Sequence, residues 1–398
     1  MADEVEMFSE PTEEGTRAGL REYKHLATPY VKFMQEEGIP VHRDIIGVHD
    51  VRELELGAWD RLGANGAYVR LDGLDTIKSL FVLEVPGQGQ TNVERHLFHA
   101  FYLVIEGRGT LETWRDESKK QILEWGPGSL FVLPPNVFHR VVNATNERIL
   151  ILATTNLPPL LNIVRDTRFV FENDFPFPQY YSDDPDFYKY DEKLYAWDLN
   201  KRAQTRTNFY PDIVNCELPL DNQRAPGYRR IQPGWRGLED VYGGFISQYP
   251  PGRYSRAHRH GAGAVLVCLR GRGYTYSWHS SLGMTPWKDG HGDAVNELQY
   301  IPGGFVAAAP GGGDWFHQHF GVSRDYFRVI NFENGPTPNY YGAGDERATA
   351  TSGNLTIREG GRSIGYSIED PYIREYFASE LAKDGLKSEM PEELYKLD

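Results

Sequence analysis

The sequence predicts an all-β protein built from two antiparallel barrels, and three observations lead there. The segment Glu94 to Trp114 (ERHLFHAFYLVIEGRGTLETW) overlays His258 to Trp278 (HRHGAGAVLVCLRGRGYTYSW) without a gap, each pair 164 residues apart. Each copy holds a short apolar run, Ala100 to Ile105 or Val265 to Leu269, closed by Gly-Arg-Gly and followed by an alternating segment, which is the pattern of strands joined by tight turns. Finally, 41 Gly and 25 Pro in 398 residues imply many turns between short elements, against a helical bundle.

The elements follow in chain order. Residues 1–45 form an N-terminal extension with one helix in the Glu13 to Glu37 region. Residues 46–170 form the first barrel. Residues 171–240 connect it to the next and are rich in Tyr, Phe, Pro and Asp (Phe175-Pro-Phe-Pro-Gln-Tyr-Tyr), so an ordered aromatic connector is expected where a flexible linker would be Gly/Ser-rich or highly charged. Residues 241–335 form the second barrel. Its later half matches Phe131-Val132-Leu133-Pro134 and Phe138-His139 with Val306 to Pro310 and Phe316-His317, now 176 to 178 residues apart, which places an insertion near 279–299. Residues 336–398 form a C-terminal extension with a helix from Pro371 to Leu381.

The charge balance of 42 basic against 56 acidic residues, a net −14, argues against nucleic acid or an anionic membrane as a partner. No window of 18 apolar residues exists, and the acidic start Met1-Ala2-Asp3-Glu4 lacks the basic and apolar regions of a secretory signal. Cys216 and Cys268 alone supply neither a disulfide framework nor a Cys-rich zinc site. A soluble cytoplasmic protein is expected.

The chemistry concentrates in the second copy. Alternate residues of a strand share a face, so His258 and His260 can point into the barrel together, and His317 and His319 form a second such pair 57 residues beyond His260. Three neutral imidazoles can hold a divalent first-row metal without cancelling its charge, leaving positions for substrate and for dioxygen or water. In the first copy Glu94 replaces the first His, so the weaker candidate set is Glu94, His96 and His139, with His99 nearby. A two-His-one-carboxylate set also suits Fe(II).

Both copies resemble cupin domains. Copy one supplies Gly128, Pro134, His139 and Asn143 of the family's second signature, and copy two supplies Gly252, His258, His260 and Gly271 of the first. The resemblance implies a double-stranded β-helix barrel present twice, a bicupin. Where cupins usually carry a Glu ligand, both copies have alanine, Ala100 and Ala264. The His-Arg-His-then-Ala pattern with Trp315-Phe-His317-Gln-His319 is similar to the gentisate 1,2-dioxygenase and 1-hydroxy-2-naphthoate dioxygenase group. That resemblance implies Fe(II) held by His258, His260 and His317, with His319 outside the metal shell as acid, base or hydrogen-bond donor. Pro310 and the pairing of Phe316-His317 with Phe138-His139 favour His317 over His319, although Gly321 stands where the family has Asn. Mn, Ni or Zn would suit the same imidazoles.

The implied reaction is opening of an aromatic ring bearing adjacent hydroxyl and carboxylate groups, with a small aromatic carboxylate and dioxygen as partners. The alternatives are a non-oxidative cupin lyase, isomerase or hydrolase acting on a small carboxylate, and a non-catalytic ligand-binding bicupin. A homo-oligomer is implied by resemblance. Among arginines near the His-x-His pair, Arg253 or Arg256 could pair with a substrate carboxylate, Arg256 being the choice, while Arg259 and Arg270 also lie close in sequence. Trp278, Tyr276 and Trp315 are candidate aromatic walls, His279 and His291 lie in an insertion that could act as a lid, and Gly311-Gly-Gly lacks the Lys-Ser/Thr of a phosphate loop.

Overall fold

The computed structural model describes residues 27–74, 76–181, 184–196, 203–222, 224–235, 244–260, 263–310, 313–333 and 355–396. Its strands form two copies of one arrangement. In the first, a large sheet runs in the order Ala64–Leu71, Ser79–Val85, Ile149–Thr155, Ala100–Glu106, Leu130–Leu133, facing a three-stranded sheet of Phe138–Val142, Gly109–Trp114 and Gln121–Trp125. In the second, the same order is Arg229–Gly234, Gly244–Tyr249, Phe327–Glu333, Ala264–Arg270, Phe305–Ala307, facing Asn296–Tyr300, Gly273–His279 and Trp315–Gly321. The strand Arg229–Gly234 thus falls in the stretch read from sequence as connector.

Alternation explains why the central strands read as unbroken apolar runs. Ala100, Tyr102 and Val104 face the interior of the first barrel, while Phe101 and Leu103 face outward; Ala264, Leu266 and Cys268 face the interior of the second, while Val265 and Val267 face outward. The outward rows meet. Val82, Phe101, Leu103 and Val132 pack with Ile246, Val265, Val267 and Phe332 in one buried layer between the large sheets, so the outer face of each large sheet is buried as well as the inner. At about 25 cal/mol per Å² such a layer is a large apolar contribution to holding the barrels together.

Each barrel lends the other an edge. Gly47–Val48, which lie ahead of the first barrel's core strands, pair antiparallel with Phe305–Ala307 of the second. Phe209–Tyr210, which precede the second barrel, pair with Leu130–Leu133 of the first. Both apolar edge strands are thereby covered on the side where unpaired N–H and C=O groups would otherwise face solvent.

Helices flank the barrels. In the N-terminal region the described helix is Pro29–Glu36; Thr28 caps it, with Oγ1 accepting from Val31 N, and Pro29 fits the first turn, where no N–H is needed. The part of the sequence expectation before residue 27 lies outside the described residues. Pro371–Ala382 is helical as the sequence predicts, opened by Asp370. Its Phe377 packs on the outer face of the small sheet of the second barrel, against Tyr254 and Phe320. Among the described residues no helix is long and apolar enough to cross a membrane.

The insertion in the second copy occupies residues 280–295, between Gly273–His279 and Asn296–Tyr300, where the first barrel turns through 115–120. It packs outward. Trp287 stacks on Tyr372 at 4.8 Å and meets Tyr276 edge-on at 4.8 Å, and Lys288 N donates to Asp370 Oδ2 at 2.9 Å. The loop is a clasp for the C-terminal helix and not a lid over the barrel.

Candidate metal centre

His258 and His317 face each other in a narrow antiparallel bridge, each backbone N–H donating to the other's carbonyl at 3.0 and 2.9 Å. The segment carrying His258 and His260 is not a continuous strand. It touches Trp315–Gly321 at two isolated bridges, Tyr254 with Phe320 and His258 with His317, so four steps on one side oppose three on the other. That extra residue reverses the alternation: Tyr254 points outward to the C-terminal helix, whereas His258 points inward. The first barrel has the same irregularity between its Gln90–Val142 and Glu94–His139 bridges.

The structure brings one donor nitrogen from each of His258, His260 and His317 within 4.8 Å of one another. His258 and His317 are almost wholly buried. Burial above all, then the Arg224 charge and the neighbouring rings, holds the His258 pKa well below the ordinary imidazole value. Burial, His260, His319 and Arg224 do the same to His317. Both rings are therefore neutral. Each Nδ1 lies against a backbone carbonyl, that of Arg256 at 3.1 Å for His258 and that of Trp315 at 3.4 Å for His317. A carbonyl can only accept, so Nδ1 carries the proton and Nε2 keeps its lone pair, the form in which a histidine ligates a metal. The donor set fits a divalent first-row ion.

His319 lies beside the trio, its ring 5.5 Å from His317 and 6.2 Å from His258, and outside the set of converging donors. Its Nδ1 is 2.9 Å from Thr275 Oγ1. Burial, Arg224 and His260 push its pKa down to about 3.

The four imidazoles line an interior cavity together with Arg224, Tyr228, Phe245, Ser247, Tyr249, Leu266 and Asn331. The Asn331 amide donates to Glu333, while its Oδ1 is buried and has no hydrogen-bond partner among the described residues. Buried polar atoms are seldom left so, and a polar ligand would satisfy this one. Ala264, where the cupin resemblance implies a carboxylate, is fully buried.

Several sequence expectations are corrected here. Arg256 does not line this cavity. It lines a neighbouring pocket with Arg358, Glu359 and Tyr366, because the alternation breaks between Tyr254 and His258. Arg224 borders both spaces and lines the cavity together with the imidazoles. Sequence reasoning missed it because it stands 34 positions before His258, in the connector, with no motif around it. Arg253 donates to the Glu389 and Pro226 carbonyls, Arg270 pairs with Asp325, and Arg259 lies near Asp314 and over Phe316. Tyr276 and Trp278 sit on the outer face of the small sheet, opposite the imidazoles, and Trp315 at its end meets His279. His279 bonds Ser281, and neither it nor His291 lines the cavity. Gly311 and Gly312 lie outside the described residues.

In the first barrel Glu94, His96 and His139 also place donor atoms within 4.8 Å of one another. His96 Nδ1 meets the Phe98 carbonyl at 2.8 Å and His139 Nδ1 the Val137 carbonyl at 3.0 Å, which turns both Nε2 atoms inward. Glu94 Oε1 stands 3.4 Å from His139 Nε2. This donor set also fits a divalent cation, but Arg61 is already ion-paired with Glu94. Burial acts to raise the Glu94 pKa, and Arg61 and His139 overcome it to hold the carboxyl at about 2. Burial first, then the other charges, brings His96 to about 3. His99, one step away, faces Tyr180 at 5.1 Å and is not part of the set.

Residues 81–155 match the cupin domain family, a stretch that runs through the core strands of the first barrel. With the strand order repeated in the second barrel, the architecture is that of a bicupin. Similar solved structures include vicilin from Corylus avellana (hazelnut), at 11% identity and a TM-score of 0.45, covering 73% of this chain and 86% of that one. They also include the formate complex of Lactobacillus farciminis oxalate decarboxylase, at 8% identity and 0.46, covering 80% and 98%. A deletion mutant of Bacillus subtilis oxalate decarboxylase gives 10% identity and 0.45, covering 82% and 87%. Likeness of this degree carries no argument about chemistry. No curated protein matches the chain.

Proposed function

We propose that the second barrel is the catalytic unit of a non-haem Fe(II) dioxygenase that opens a hydroxy-carboxylated aromatic ring. The observation that carries this reading is the convergence of three imidazoles, with a guanidinium, Arg224, on the same cavity and no protein carboxylate in the donor set among the described residues. His258, His260 and His317 would hold the metal. Fe(II), when bound, would supply adjacent positions for the oxygens of a hydroxy acid and for dioxygen. The chain's own residues do the rest. Arg224 anchors the substrate carboxylate, and a charged group taken out of water gains most from such a partner. Tyr228, Phe245, Tyr249 and Leu266 line the cavity with apolar surface and exclude water. His319 holds a proton at the cavity wall.

The test is oxygen consumption by Fe(II)-loaded protein offered salicylate-like and hydroquinone-like acids, with metal content measured alongside. Uptake coupled to loss of the aromatic absorbance supports the reading. Retained metal without uptake on any of these acids overturns it in favour of a non-oxidative lyase, isomerase or hydrolase. Failure to retain any metal overturns it in favour of a ligand-binding bicupin.

A further inference from the structure

The two barrels differ along one line of three interior positions. In the first, the ladder sets Leu111 opposite Val141 and Gly109 opposite Trp125. In the second, the equivalent rungs set Thr275 opposite His319 and Gly273 opposite Tyr300. All six side chains are buried. Where the first barrel has an apolar row of Trp125, Leu111 and Val141, the second has a hydrogen-bonded row: Tyr300 OH to Thr275 Oγ1 at 2.8 Å, and Thr275 Oγ1 to His319 Nδ1 at 2.9 Å.

The direction of the protons in this row is set at its closed end. The Tyr300 phenol has one proton to donate, and Thr275 is the partner the structure shows for it. Leaving a buried O–H without an acceptor costs about 1–3 kcal/mol, so the phenol donates to Thr275. Thr275 also has a single proton, and its remaining partner is His319 Nδ1. Nδ1 then accepts, and a neutral ring must carry its proton on Nε2. His258 and His317 have the reverse arrangement, because their Nδ1 atoms face carbonyl oxygens.

We propose that Tyr300 and Thr275 are positioning residues that fix His319 as the Nε2–H tautomer, a hydrogen-bond donor toward the cavity and not a metal ligand. The catalytic consequence rests on the dioxygenase reading above, whereas the tautomer does not. With the donor held toward the cavity, the ring delivers a hydrogen bond to an anionic substrate oxygen without first reorganising. The same fixation keeps a fourth lone pair away from the trio, so an ion held by the trio would keep a position for substrate.

The experiment is nitrogen-15 NMR of the full-length chain with labelled histidines, loaded with diamagnetic Zn(II). The His319 signals, assigned by their loss in His319→Gln, are expected to show a protonated Nε2 and a hydrogen-bonded, unprotonated Nδ1. Thr275→Val, close to isosteric, is expected to abolish that pattern, and Thr275→Ser to keep it. Tyr300→Phe, which removes the donor at the closed end, is expected to give a mixture of tautomers. In turnover, Thr275→Val should lower kcat by about 10²-fold with KM within about threefold and metal content unchanged, and serine should rescue it. A protonated Nδ1 or a zinc-shifted Nε2 in the unaltered protein would overturn the proposal, as would an unchanged pattern in both Thr275→Val and Tyr300→Phe. If the tautomers behave as stated and no acid supports oxygen uptake, it is the dioxygenase reading that fails.

Discussion

Where the second barrel carries His258 the first carries Glu94, and the surroundings have adjusted to the charge. In the first, Arg61 pairs with Glu94, and Glu37 in turn holds Arg61. In the second, no carboxylate joins the trio among the described residues, and Arg224 lines the cavity itself. One scaffold therefore supports two electrostatic designs. In the first a guanidinium pairs with the carboxylate of the donor set, and in the second a guanidinium lines the cavity beside the imidazoles. The apolar row Trp125, Leu111, Val141 against the polar row Tyr300, Thr275, His319 repeats the lesson. A repeat conserves the ladder, and its side chains are free to diverge wherever the interior stays packed or satisfied.

The largest expected contrast is loss of a donor. His258→Ala or His317→Ala should remove bound metal and cut turnover by roughly a thousandfold or more, whereas His96→Ala in the first barrel should leave turnover within about threefold. Metal analysis with oxygen uptake decides this, and equal losses in both barrels would end the division of labour. Next comes Arg224→Leu, expected to raise KM about 10- to 100-fold, as removal of a charged hydrogen bond does, while Arg256→Leu stays within about threefold. In the first barrel Arg61→Leu strands a half-buried carboxylate and should destabilise the fold by about 2–4 kcal/mol in urea unfolding, with Glu94→Leu in the same chain restoring much of it.

The smallest effect is acid sensitivity. The folded-state pKa of Glu94, about 2, lies below its unfolded value of about 4.3, so the folded state binds fewer protons in between. The contribution is fully present above the unfolded value and is lost as pH falls through about 2. Glu94→Gln should flatten the acid limb of the stability curve between those values, which a denaturation series across pH would show.

Much of the fold was legible because a gapless repeat doubles the signal of each strand, and Gly107 and Gly271 mark the turn in both copies. Both have positive φ, and a Cβ there would sit 2.5 Å from the Arg148 carbonyl oxygen or 2.7 Å from that of Tyr326. The convergence of His258, His260 and His317 was legible from spacing together with the repeat. Arg224 was not, since its approach depends on how the connector wraps the barrel. The misplacement of Arg256 has a local cause: alternation was assumed to continue through a segment that carries an extra residue. The outward clasp of Trp287 was hidden for a related reason, because its partner Tyr372 lies in a distant helix.

The crossed pairing of Gly47–Val48 with Phe305–Ala307 and of Phe209–Tyr210 with Leu130–Leu133 ties the two halves like interlaced fingers. Without residues 209 and 210 the first barrel's edge strand would stand uncovered, and without residues 47 and 48 so would that of the second. Cutting the chain between the repeats would leave each fragment with an adhesive strand in place of a finished border. The duplicated unit has in this way surrendered its independence, and the half that holds the imidazole trio depends on the other for its completion.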